Sequence, residues 1–291
     1  MKTKRCLFYM AAILLPFVAV VCLYSCKGDG NNNKKDKQQA DKIVPWNITI
    51  LIDLSDRITD STENRKQEDN DVQLIVHIAN TLKDKIAKEK FIGRDNFKIL
   101  FYPNPNLDGL GSVTTDLKIN MDVPRKEKKE QKRKLQKLDS LYTCTLHSVY
   151  AQAKQKAEYP GSDIWGFFRM KAAEQCIRND YRNILVILTD GYIYHKDNKR
   201  PINGKPVYVT PISLEQNPNI ELANPLEGRE KLNSLEVLLL EVNPKNTYHF
   251  ELLERILTKW FDDMGVNKFK IITKGDPSVT KDVIDTFLQI R

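Results

Sequence analysis

Five cysteines and four histidines in 291 residues leave little soft-ligand chemistry, and none of them is spaced as in a zinc site. The twelve glycines form no phosphate-cradling loop. Neither a Ser/His/Asp order nor a pair of catalytic glutamates is present to support an enzymatic reading. No internal repeat occurs, which excludes a solenoid or propeller. The formal charge of +8 is a mild excess, and Lys2, Lys4 and Arg5 contribute to it from a segment expected to be removed. Such an excess does not argue for nucleic acid, and no nucleic-acid partner is expected. With 29% charged and 41% hydrophobic residues the balance is that of a globular chain, so disorder is expected only towards the ends.

What is present begins at the N-terminus. Lys2, Lys4 and Arg5 precede an uncharged, mostly apolar run from Cys6 to Leu23, the layout of a secretory signal. Leu23-Tyr24-Ser25-Cys26 resembles a bacterial lipobox, with Tyr24 where a small residue is usual. The resemblance implies a signal peptide over 1–25, lipid attachment at Cys26 and a place on the bacterial cell envelope, anchored to the membrane. The same run just reaches spanning length, so an uncleaved transmembrane anchor is the alternative. Either arrangement puts the globular part outside the cytoplasm. Residues 26–42 are polar and low in complexity and read as a flexible tether. Of the cysteines beyond it, Cys144 and Cys176 sit in helical patterns and are expected either to pair or to remain buried thiols.

Residues 43–291 alternate strand and helix patterns. Ile48–Ile52 reads as a strand buried on both faces and ends abruptly in Asp53-Leu54-Ser55-Asp56-Arg57. A second apolar strand, 183–189, ends the same way in Asp190-Gly191. Further strands are expected at 97–102, 235–242 and 269–273, with an edge strand within 107–122. Helices are expected from about Asp69, from Pro124 in one long run, from Asp163 to about Arg178, over 248–264 and over 279–290. Ile58 to Glu68 reads as a polar loop, and 192–234 as an insertion with a hairpin turning near Asn203-Gly204. The alternation predicts an α/β fold, a mostly parallel doubly wound sheet with helices on both faces and one edge strand antiparallel. Ligands in such sheets bind where the carboxyl ends of the strands run into loops.

Asp53-Leu54-Ser55 after the first strand, Gly161-Ser162 before a helix and Thr189-Asp190-Gly191 after a later strand resemble, in order and spacing, the von Willebrand factor A-type domain. The resemblance implies a metal-ion-dependent adhesion site, a non-catalytic binding role, and a protein or other macromolecular partner at the envelope. By that likeness Asp53, Ser55, Ser162 and Asp190 would hold Mg2+ or Mn2+, with Asp56, Arg57, Asp163 and Gly191 around the site. Magnesium is a hard ion that takes oxygen ligands and keeps some of its waters. Arg57 departs from the family pattern, because it stands where a second serine is expected. A guanidinium is always cationic and ligates no metal. It is expected either to face solvent, leaving a weakened site, or to turn inward onto Asp53 or Asp190.

Plainer roles exist for the same residues. Ser162 or Asp163 would serve as a helix N-cap, and Asp53 and Asp190 as caps of strand-end loops. Asp56 and Asp60 read as loop solvation, His195 as a lone exposed histidine, and the basic run 125–137 as a solvated helix face. The competing enzymatic reading is a haloacid dehalogenase-like, metal-dependent phosphate-ester hydrolase with Asp53 as nucleophile and Asp262 and Asp263 as a later acidic pair. Ser55 occupies the position of its general acid.

Overall fold

The computed structural model describes residues 44–58, 62–107, 109–155, 161–198 and 200–289. Cys26, the signal segment, the tether and Asp60 lie outside them. Tertiary contacts gather Ile43–Arg291 into one compact unit.

Strand β1 (Trp46–Ile52) is buried along its whole length, as its apolar run requires. A 3-10 turn, Asp56–Ile58, leads towards helix α1 (Thr62–Lys88). This helix begins well before Asp69, because Thr62–Glu68 carries no apolar side chain through which a helical period would show. Strand β2 (Asn96–Phe101), helix α2 (Leu110–Asp116) and strand β3 (Ile119–Asn120) follow. The expected edge strand within 107–122 is therefore mostly helix, and only Ile119 and Asn120 pair, antiparallel to β2.

The long helix expected from Pro124 is two helices, α3 (Lys128–Gln136) and α4 (Leu138–Lys154), parted at Lys137. A short strand, β4 (Gly161–Ser162), precedes α5 (Ile164–Met170) and α6 (Ala172–Cys176), which break the next expected helix at Lys171. Then come β5 (Arg182–Leu188), β6 (Tyr194–His195), α7 (Pro211–Gln216), β7 (Leu235–Val242), α8 (Thr247–Asp263), β8 (Lys268–Thr273) and α9 (Pro277–Leu288).

The main sheet has six strands in the order β3-β2-β1-β5-β7-β8, parallel except for β3. This is the doubly wound arrangement, and its strand order reverses between β1 and β5. β4 and β6 form a separate antiparallel pair. Alternation along the strands divides the core in two. Ile48, Ile50 and Ile52 join α1, α4 and α9 on one face, whereas Leu51, Leu185 and Ile187 join α5, α6 and α8 on the other. The bridges Ile193–Val209 and Ile202–Lys205 form the hairpin of the insertion. Cys144 and Cys176 are both free, so of the two alternatives they remain thiols, Cys176 buried as expected and Cys144 exposed. Burial pushes the Cys176 thiol up to about 12.

Phe168 on α5 is the ring that ties the second face together, edge-on to Trp260 at 5.1 Å and to Phe261 at 6.0 Å. Deleting a fully buried ring costs about 3–5 kcal/mol. Phe168→Ala is expected to lower stability by that amount in urea unfolding. The exposed Met170→Ala on the same helix is expected to leave it within about 0.5 kcal/mol.

Candidate functional site

At the β1/β5 crossover the register pairs Ile52 with Leu188, so Asp53 and Thr189 leave the sheet side by side. The Asp53 amide donates to the Leu188 carbonyl at 3.0 Å. Its carboxylate is buried and held from both sides. Oδ1 accepts from the Ser55 amide at 2.8 Å, and Oδ2 accepts from the Thr189 hydroxyl at 3.0 Å. Burial raises the pKa of this carboxyl, while Arg57, the Ser55 groups and Thr189 oppose the rise.

Arg57 turns inward, but onto neither the Asp53 nor the Asp190 carboxylate. Its two terminal nitrogens grip Asp71 of α1 at 2.8 and 2.9 Å, a bidentate fork. The same guanidinium donates to the Asp53 carbonyl oxygen at 3.0 Å. Asp71 also accepts from the Tyr150 hydroxyl of α4 at 2.5 Å and from the Gln67 amide at 2.9 Å. Gln67 in turn donates to Glu241 of β7 at 2.9 Å. Burial lowers the Arg57 pKa, but the charge and hydrogen bond of Asp71, with Tyr150 and Asp53 beside it, together hold it raised.

Glu241 reaches Gln67 because β7 is bulged there. Its φ of 65° is left-handed, and the register with β8 shifts between Leu239 and Val242. The bulge re-aims the chain. Val242 falls on the face of Leu239, and Glu241 turns to the α1 side. Burial raises the Glu241 carboxyl.

The third loop closes against the end of β7. The Asp190 carboxylate accepts from the Tyr192 amide at 3.0 Å, and its carbonyl accepts from the Asn243 amide at 2.9 Å. Gly191 has φ 92°, and a Cβ there would meet Val242 at 2.8 Å, so the turn needs glycine. The second loop is drawn to the third by backbone pairing, Gly161 with His195 and Ser162 with Tyr194. Asp163, rather than Ser162, caps α5 through the Gly166 amide at 2.8 Å, and it also accepts from Asn198 at 2.7 Å. His195 is buried in this pairing, not exposed, and its Nε2 has no hydrogen-bond partner. Only the backbone of Asp56 is described.

Two observations bear on a hard divalent ion. The Ser162 hydroxyl is buried without a hydrogen-bond partner, which a ligand would complete. Against this, both Asp53 oxygens are engaged, and a permanent cation sits on the Asp53 carbonyl. Asp53, Ser55, Ser162 and Asp190 therefore do not fit a tightly held ion. Among the described residues, no group of three or more His, Cys, Asp or Glu is placed to hold a metal. Asp262 and Asp263 close α8, which runs back from the carboxyl ends of the strands. The acidic pair that a hydrolase would need thus lies at the end of the sheet opposite Asp53.

Periodicity left one signal in the sequence that the motif pattern did not use. Asp71 lies four, seven and eleven residues before Ile75, Ile78 and Leu82, on the buried stripe of α1. An acid on such a stripe needs a cation inside. Tyr150 occupies the α4 stripe in the same way.

No protein-family model matches the chain, and no curated protein matches it. Among solved structures, it is similar to the pilus adhesin SpaC from Lactobacillus rhamnosus GG in its open conformation, with 8% identity and a TM-score of 0.37. The likeness covers 84% of this chain and 30% of that one, and at this level it carries no argument about function.

Two predictions follow from the buried network. Arg57→Ser strands Asp71 as an uncompensated buried charge and is expected to cost about 3–5 kcal/mol in urea unfolding. Adding Asp71→Asn removes the orphaned charge, and the double variant is expected to recover at least half of the loss. The second concerns pH. A carboxyl whose pKa is raised by folding binds its proton more tightly in the native state, so stability falls as pH rises from the ordinary glutamate value through the raised one. Glu241→Gln keeps an acceptor for Gln67 and removes that slope. The variant is expected to gain on wild type between pH 4 and pH 7, as measured by denaturant midpoints at about those two values.

Proposed function

We propose that this chain is an envelope-anchored, non-catalytic binding domain of von Willebrand factor A-type, tethered through lipid at Cys26. In this reading its adhesion site is degenerate and takes a protein or other macromolecular partner. The observation that carries the reading is the meeting of Asp53 with Thr189-Asp190-Gly191 at the strand-order reversal of a doubly wound sheet. Asp53, Ser55, Ser162 and Asp190 would be the ligands of Mg2+ or Mn2+. Both Asp53 carboxylate oxygens are already engaged by Ser55 and Thr189, so a divalent ion is held weakly and partner binding does not depend on it.

Specificity comes from the insertion 192–234. Its first strand is paired with Ser162, and it presents Tyr194, which is 47% exposed and stands edge-on to Tyr208 at 6.5 Å. Exposed tyrosines are favoured anchors of protein interfaces. The hydrolase reading lacks its acidic pair beside Asp53, which favours the binding role.

The test is capture of envelope components by immobilised residues 43–291. Capture is expected to persist in chelator, and Tyr194→Ala is expected to weaken it by about 2 kcal/mol, a hot-spot loss, with the unfolding midpoint unchanged. Capture abolished by chelator would show a metal-dependent site. Manganese-dependent hydrolysis of a phosphate ester that disappears in Asp53→Asn would establish the hydrolase instead.

A further inference from the structure

The end of the sheet opposite the adhesion-like site carries its own feature. Helix α1 finishes in the loop 89–95, and α3 lies beside it. Between them is a groove of about 650 Å³ whose lining includes Lys90, Arg125, Lys128, Lys129 and Lys132 and no carboxylate. Glu127 and Glu130 of the same region do not line it, and Glu130 is paired with Arg133.

The loop leaves the helix in an uncommon backbone conformation. Helices commonly end on a glycine in the left-handed conformation. Here that conformation falls on Lys90, at φ 53°, and on Phe91, at φ 63°, with the Phe91 amide closing onto the Ile86 carbonyl at 2.9 Å. Left-handed backbone at non-glycine residues is a cost kept where the side chains serve. Lys128 Nζ donates to the carbonyls of Phe91, Ile92 and Gly93 at 3.3, 3.1 and 3.0 Å and holds the loop in place. Lys132 sits 4.2 Å over the Phe91 ring. At the tip Ile92 stands 76% exposed, the most exposed of the large hydrophobic side chains among the described residues.

We propose that this basic groove and its isoleucine tip rest on the anionic phospholipid surface to which the domain is tethered. Position argues for that occupant. The chain enters the domain at the same end, where the Trp46 amide donates to Asp95 of this loop at 2.7 Å. Juxtamembrane lysines and arginines each gain from an anionic surface, and an apolar residue gains by entering the headgroup layer. A soluble polyanion would use the cations but gain nothing from Ile92. The geometry also sends the Asp53 site away from the membrane, towards a partner in solution. The inference rests on the anchored-domain reading for its setting.

The test uses residues 43–291, which contain every residue of both hydrophobic cores and lack Cys26, so its result does not depend on lipid attachment. Co-sedimentation is measured with vesicles of phosphatidylglycerol and phosphatidylcholine, and with phosphatidylcholine alone. Binding is expected only to the anionic vesicles and is expected to fall with added salt. Lys129→Glu with Lys132→Glu is expected to reduce it at least about tenfold, and Ile92→Asp to reduce it severalfold, with unchanged unfolding midpoints. Equal sedimentation with both vesicle types, no loss in the double variant, or Ile92→Asp binding as wild type would overturn the proposal. So would binding to polyphosphate as tight as that to the anionic vesicles.

Discussion

The ion pair between Arg57 and Asp71 is the constraint on which the upper end of the molecule depends. Two opposite charges taken out of water are tolerated only when geometry is good and the remaining polar atoms are satisfied. Both conditions hold here. The fork is bidentate, Tyr150 and Gln67 complete Asp71, and the third contact of the guanidinium is the Asp53 carbonyl. The pair joins the loop after β1 to α1, α4 and, through Gln67, the bulge of β7. Four elements that carry or support the site are thereby locked together.

That lock reshapes what the Asp53 loop offers. The arginine stands against the Asp53 backbone carbonyl, with its own charge matched by Asp71. Asp53 is left as an acceptor whose oxygens are already ordered by Ser55 and Thr189. Outward of it lies the insertion that pairs with the second loop and bears Tyr194 and Tyr208. The molecule is polar in a second sense. Parallel strands put all their carboxyl ends on one side, so the loops after β1 and β5 gather there, while the N-terminal strand entry and the basic groove gather at the other.

Strands were the most legible part of the chain. β1, β5 and β7 are buried on both faces, so each is a continuous apolar run whose ends stand out against polar loops. Helices were legible only where an apolar stripe marked them. The first turns of α1 have none, and the breaks at Lys137 and Lys171 carry no proline or glycine to announce them. In 107–122 the alternation of Val113, Leu117 and Ile119 imitates a strand, but the short α2 docks on the edge of β2 and leaves only Ile119 and Asn120 to pair.

By itself the sequence determined the α/β alternation and the two strands that end in aspartate, and the family resemblance marked the arginine of the first loop as a departure. These are local properties, set by periodicity, turn conformation and side-chain chemistry over a few residues. The partner of that arginine was decided only by tertiary structure. Asp71 is fourteen residues away, Tyr150 comes from another helix, and Glu241 arrives through a bulge whose left-handed residue is not a glycine. A buried charge chooses its counterion by proximity in the packed state, and packing brings together residues that no window of sequence contains.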